Sequence, residues 1–184
     1  MFRMLKTGGH CYLFLPADSS SECLYKGEKI SKHHFNDMVI KMMEEEGFIF
    51  NKRIIWDKVN IGMGYNARDR HEQIIFFSKG KRRMPVDRSI ADVLSHKRVS
   101  HQVRMHENEK PIELYEDIIK LCSNEGEVLL DLCAGSLPLL RACLKLKRFA
   151  ICIELSKEIL DKVFNSSRFQ TEMKSLGVCI YEGV

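Results

Sequence analysis

The sequence predicts an α/β fold with a largely parallel sheet, and three observations predict it. The stretch VLLDLCAGSLPLL, residues 128–140, reads as a buried strand, a turn bearing Gly135, and a helix. A second apolar strand, FAICIEL (149–155), and a second helix, SKEILDKVF (156–164), follow at the spacing of a βαβα unit. Upstream, apolar, β-branched and aromatic runs at 10–16, 48–59 and 71–80 supply further strands.

Each element has a local reason. HCYLFLP (10–16) follows the turn signal KTGG and alternates enough to be a strand, and DSSSECLYKGEK (18–29) is loop-like. A helix is expected from about Ser31, where Phe35, Met38, Val39, Met42 and Met43 recur at helical spacing and Gly47 supplies the stop. The runs FIFNKRIIWDKV (48–59) and HEQIIFFSKG (71–80) are joined by NIGMGYNARDR, a link too long for a tight hairpin. The patch IADVL (90–94) reads as a helical turn inside an otherwise irregular segment.

From Lys110 the pattern becomes regular. KPIELYEDIIKLC (110–122) places Pro111 at the first helical position, where its missing N–H costs nothing, with Glu113, Glu116 and Asp117 near the positive helix end. EVLLDLC (127–133) reads as a strand buried on both faces of a parallel sheet. PLLRACLKLK is a helix, and GVCIYEG (177–183) reads as a last strand.

The chain has 184 residues, 45% hydrophobic and 29% charged, which are globular values suited to one domain. No apolar run reaches the length of a membrane span and no secretory signal opens the chain, so a cytoplasmic protein without a membrane partner is expected. The seven cysteines form no C-x-x-C pair and read as buried free thiols, and the seven histidines have no metal-ligand spacing. No metal is expected. The net charge of +4 is concentrated: Lys79 to Arg104 holds eight Lys/Arg against two Asp, leaving −2 for the rest. Such a block suits a phosphate-facing surface or a solvated loop.

In open α/β sheets ligands bind at the carboxyl ends of strands. Asp131, Ala134, Gly135 and Ser136 lie there, and Glu154 ends the next strand, 23 residues after Asp131. A carboxylate at that distance is the usual partner of ribose hydroxyls, which favours a nucleoside-containing cofactor. In the alternative reading Asp131 only caps its turn and Glu154 faces solvent.

The order LKTGGHCYLFLP, IIWDK, RDRHEQIIFFSKGK, HENEKPIELYEDII, GEVLLDLCAGS and RFAICIELS resembles the DNA amino-methyltransferases, in the group whose catalytic segments precede the cofactor segments. The resemblance spans roughly residues 3–165. It implies a Rossmann-like methyltransferase fold in one domain, with 1–80 as the target-side half, 81–107 as a basic loop region and 108–184 as the cofactor-binding half.

It further implies S-adenosylmethionine as methyl donor, held by Lys110, Pro111, Asp131, Cys133, Ala134, Gly135, Ser136 and Glu154. DNA is the implied partner, faced by Arg68, Arg70, Lys81, Arg82, Arg83, Lys97 and Arg98. The implied reaction is methyl transfer to the exocyclic amino group of adenine (N6) or cytosine (N4), on a base flipped from the stack. A prokaryotic or phage source and a part in restriction-modification follow from the same resemblance.

The sequence departs from the family in two places. The family's catalytic tetrapeptide, D/N/S-P-P-Y/F/W, is absent, since Pro16, Pro85, Pro111 and Pro138 are the four prolines and none are adjacent. The resemblance therefore implies an N-terminally incomplete sheet lacking the central strand that carries the tetrapeptide, with no catalytic residue assigned. A chain supplying that segment, or self-association, would complete it. The second departure is the turn, where the family's D-P-F-x-G-S-G-T stands as DLCAGSLP. Leu137 replaces a glycine, which predicts strain if the backbone is left-handed there. The alternative reading is a catalytically inactive DNA-binding remnant or accessory subunit. A different small-molecule enzyme on this scaffold has little support, because no histidine is held near Cys133 by local sequence.

Overall fold

The computed structural model describes residues 1–17, 22–25, 28–31, 35–62 and 67–177, with side chains described outside 22–31. The strand expected at 177–183, beyond Gly177, and the His33-His34 pair lie outside these residues; Ser31, where a helix is expected to begin, instead ends a strand, and the loop expected at 18–29 holds strand residues at 22–25 and 28–29. The chain divides into two compact units, Met1–Pro85 with Ser89–Lys97, and Val86–Arg88 with Arg98–Val184.

The first unit opens with a short 3-10 turn at Phe2–Met4 and strand β1 (His10–Pro16). A small antiparallel pair follows, β2 (Glu22–Tyr25) and β3 (Glu28–Ser31), and then helix α1 (Phe35–Glu45). Gly47, at φ 95°, turns the chain into β4 (Phe48–Asp57). Strands β5 (His71–Lys79) and β6 (Val93–Ser95) complete a four-stranded sheet of order β1-β5-β4-β6.

Within that sheet β5 runs antiparallel to both β1 and β4, and only β4 and β6 are parallel. The α/β class stands, but this sheet is mixed, not largely parallel. The reason is the connection: the described part of the β4–β5 link holds no helix and the chain reverses, whereas parallel neighbours need a crossover. The patch expected to form a helical turn is instead β6, where Val93 and Leu94 pair with Ile55 and Trp56.

Phe48, Ile75 and Phe77 form the core of one face, with Ile40, Met43, Leu13, Leu15 and Phe2 packed on it. Met42, part of the predicted apolar stripe, is exposed. Trp56 is buried in the sheet and donates from Nε1 to the His96 carbonyl at 2.8 Å.

The second unit contains helix α2 (Ile112–Cys122), strand β7 (Val128–Asp131), helix α3 (Pro138–Lys145), strand β8 (Phe149–Cys152) and helices α4 (Lys157–Phe164) and α5 (Ser167–Ser175). Pro111 is the N-cap of α2, one residue before the expected position. Strands β7 and β8 pair in parallel, Val128 opposite Phe149 and Asp131 opposite Cys152. Ser156 caps α4 by accepting from the Ile159 amide at 3.3 Å. Helix α5, its Phe169 and Met173 buried, was not expected from the sequence.

One face of the β7–β8 pair carries Leu129, Ala150 and Cys152 onto Ile112, Ile119, Leu139, Ala142 and Cys143. The other face is bare: Val128, Leu130, Phe149, Ile151 and Ile153 are 40–65% exposed. Strand β7 is therefore covered on one side only, against the expectation of burial on both. The alternation of the pleat sends every second residue away from α2 and α3. Among the described residues no helix is long and apolar enough to cross a membrane.

Candidate functional site

The carboxyl ends of β7 and β8 shape a small turn. Asp131 accepts the Cys133 amide at 3.0 Å through Oδ1, and the Ala134 amide bonds to the Ile153 carbonyl at 3.0 Å, tying turn to neighbouring strand. Glu154 reaches across, accepting the Gly135 amide at 2.7 Å on Oε2 and the Ser156 amide at 2.9 Å on Oε1.

The two carboxylates are tuned in opposite directions. Burial pushes Asp131 above the ordinary carboxylate range, opposed by the Cys133 amide and reinforced by the charge of Glu154. The amides of Ser156 and Gly135 hold Glu154 below its ordinary value.

Gly135 lies at φ 50°, and a Cβ there would meet only His106 Nδ1 at 3.8 Å, so the turn is open above it. Ser136 is buried and its Oγ has no hydrogen-bond partner among the described residues. A buried hydroxyl without a partner is unfavourable, and a polar ligand at this turn would relieve it. Cys133 is exposed at the mouth and Ala134 is buried beneath it. Together these features fit a ligand with hydroxyl and amino groups, as S-adenosylmethionine has.

Leu137 takes the left-handed conformation, φ 59° and ψ 39°, as N-cap of α3. Its side chain is buried with Ala134, Val163, Phe169 and Met173. The turn thus keeps the backbone that a glycine would adopt, and apolar burial offsets the strain.

Residues 103–110 complete this unit's site. Glu109 is buried beside Lys110 and Pro111, and its carboxylate faces Arg141 of α3 at 3.5 Å and Arg168 at 3.3 Å. Arg141 also pairs with Glu172 of α5. His106, Glu109 and Arg141 were not predicted as site residues; only the spacing of HENEKP to the turn pointed to this segment.

The expected DNA-facing residues do not form one cluster. Arg68, Lys97, Lys81, Arg82 and Arg83 are exposed in the first unit, and Arg98 is exposed in the second. Arg68 and Arg70 precede β5 while Lys81–Arg83 follow it, so about 26 Å of strand separates the groups. Lys97 follows β6, whose Ser95 pairs with Asp57, and joins the Arg68–Arg70 end.

Arg70 is fixed there by a two-point contact with Asp57, Nε to Oδ1 and Nη2 to Oδ2, each 2.7 Å. The Arg70 hydrogen bond, with the Val59 amide, holds Asp57 at about 2. Arg82 donates to Asn51 Oδ1 at 3.1 Å.

At the same end, where β1 and β4 finish and β5 starts, Pro16, Ala17, Phe35, Lys58, Asp69, His71 and Glu72 line a cavity of about 300 Å³. Lys58 is buried and lies 3.7 Å from Glu72. Sequence reasoning placed His71 and Glu72 only at the start of a strand run, and missed Lys58 although it ends the quoted IIWDK.

Comparisons with known proteins agree with this architecture. Residues 1–165 match the DNA methylase family. The type II methyltransferase M.HpaI of Haemophilus parainfluenzae is 27% identical over 184 residues, 87% of this chain and 54% of that protein. M.HhaII of Haemophilus parahaemolyticus, also a type II methyltransferase, is 30% identical over 105 residues, 55% of this chain and 45% of that protein. The chain thus spans about half the length of these relatives.

Among solved structures, the M1.HpyAVI–SAM complex has a TM-score of 0.68 at 23% identity, covering 89% of this chain and 76% of its own. The PvuII DNA methyltransferase, described as cytosine-N4-specific, has a TM-score of 0.66 at 15% identity, covering 94% and 71%. With the family matched over nine-tenths of its sequence, this chain belongs to the DNA methylase family, the N6/N4 amino-methyltransferases.

Proposed function

We propose that this chain supplies the cofactor-binding and DNA-facing parts of a site-specific DNA amino-methyltransferase. The cofactor is S-adenosylmethionine, which supplies an electrophilic methyl group when bound. The acceptor is the exocyclic amino group of adenine or cytosine. Both units serve one methyltransferase domain in this reading, and the tetrapeptide comes from a segment outside these 184 residues or from another chain.

The observation that carries the reading is the turn between Asp131 and Glu154, with the open face of Gly135 and the partnerless Ser136 Oγ. Asp131, Cys133, Ala134, Gly135 and Ser136 border the methionine part of the cofactor, and Glu154 takes its ribose hydroxyls. Lys110 and Pro111, at the start of α2, bound the same site. Arg68 and Lys97 contact phosphates at the carboxyl edge of the first sheet, with Arg70 oriented by Asp57. Lys81, Arg82, Arg83 and Arg98 add sequence-independent attraction, which weakens with salt.

The bare β7–β8 face supports a missing partner element, since parallel sheets are found with both faces covered. The test is to mix this chain with a segment carrying the family's tetrapeptide, labelled S-adenosylmethionine and duplex DNA. Methyl transfer in the mixture and in neither part alone is expected. No transfer at any ratio contradicts the enzymatic reading.

Leu137 and Pro138 favour a second reading, an inactive DNA-binding accessory subunit or remnant. That reading is left standing by salt-sensitive DNA binding without transfer, and is removed if DNA binding is absent.

A further inference from the structure

Glu109 and Arg141 form a pair whose side chains are each 1% exposed, and the proposed chemistry uses neither charge. Burying two charges is expensive unless both are paired and hydrogen-bonded, and breaking such a pair is worse than never having it. Glu109 meets that condition with local backbone as well as with arginines. Its Oε2 accepts the Met105 amide at 2.5 Å, while Oε1 faces Arg141 and Arg168.

Arg168 also donates to the Val103 carbonyl at 3.2 Å. The segment 103–109 is therefore pinned at Val103, at Met105 and at Glu109 itself. Between the pins the Glu109 amide bonds to the His106 carbonyl at 3.1 Å, and the Asn108 amide reaches His106 Nδ1 at 3.3 Å. These contacts present the imidazole at the open face of Gly135, 3.8 Å from where a Cβ would stand.

On the other side, the Arg141 amide bonds to the Leu137 carbonyl at 3.2 Å, so Arg141 belongs to the turn's own helix. One buried pair thus joins the floor of the site to the segment above it.

We propose that Glu109 and Arg141 are positioning residues that hold 103–109 against the Gly135 turn, so that the His106 imidazole faces the bound ligand. This rests on the cofactor reading above. An imidazole held in place loses little freedom on binding, which is where preorganisation raises affinity.

The test uses the full chain, titrated calorimetrically with S-adenosylmethionine, alongside urea unfolding and the His106 Cε1–H resonance. The variants are H106A, E109Q, and the double variant E109L/R141M, which replaces both charges with apolar groups and leaves Glu172 beside Lys145. All three are expected to bind roughly tenfold more weakly. H106A and the double variant are expected to keep the urea midpoint, and the double variant to move the His106 resonance to that of a free imidazole.

Wild-type affinity in H106A, or in whichever Glu109 variant stays folded, overturns the proposal. If the native chain binds no S-adenosylmethionine, the cofactor reading fails. The positioning role is then decided by the His106 resonance alone: a shift in the double variant supports it, and no shift overturns it.

Discussion

Asp57 is a carboxylate held far below its ordinary value by a guanidinium, and the consequence has a definite sign. Its pKa of about 2 lies under the ordinary 3.8, so the Arg70 clamp is fully present above about pH 4 and is lost as pH falls towards 2. The Arg70 Nε–H resonance should hold its bonded position at pH 4 and shift with a midpoint near pH 2; D57N should lack that transition. The thiols differ for another reason. Burial pushes Cys11 and Cys152 up to about 11 and Cys143 to about 12, while Cys133 is exposed. Among the described cysteines, Cys133 should take up iodoacetamide first in mass-spectrometric mapping, with S-adenosylmethionine slowing it. Labelling of Cys143 at a similar rate would contradict the packing. That Asp131, Gly135, Ser136 and Glu154 gather at one turn was legible from the sequence, because strand, turn and strand end lie in one short stretch. The Glu109–Arg141 pair was not, since its members are 32 residues apart and only tertiary packing joins them.

The turn before α3 shows two terms in opposition. A left-handed non-glycine residue is strained by about 1–2 kcal/mol, whereas removing a buried leucine side chain costs about 2–5 kcal/mol. Leu137 is both strained and buried, so burial wins. L137G should lower the unfolding free energy by about 1–3 kcal/mol in urea despite relieving the backbone. A gain in stability would mean that the Leu137 contacts contribute little. Sequence periodicity located α1 through α4 well, because each carries an apolar stripe and a cap or stop of its own. It failed for β6, where three residues are strand only because β4 offers them a partner. It also failed for the outer face of β7: an apolar run does not say whether anything lies on its far side.

At the scale of the chain, the order of the longer strands and helices was legible, but β2, β3, β6 and α5 were not, and neither was the pairing within the first sheet. Ile54 facing Ile74, and Ile55 facing Val93, are choices between equally apolar strands, made by connection length and register. The cofactor site proposed above is the turn between Asp131 and Glu154, and the account depends on it. The most direct test is to titrate S-adenosylmethionine into the full chain and into D131N, comparing their urea midpoints. In D131N the acceptor for the Cys133 amide survives while a charge that burial disfavours is removed. The account predicts saturable one-to-one binding by the native chain. It predicts at least roughly tenfold weaker binding by D131N, with a urea midpoint unchanged or higher. Equal affinity in the two proteins, or no saturable binding by the native chain, would contradict it.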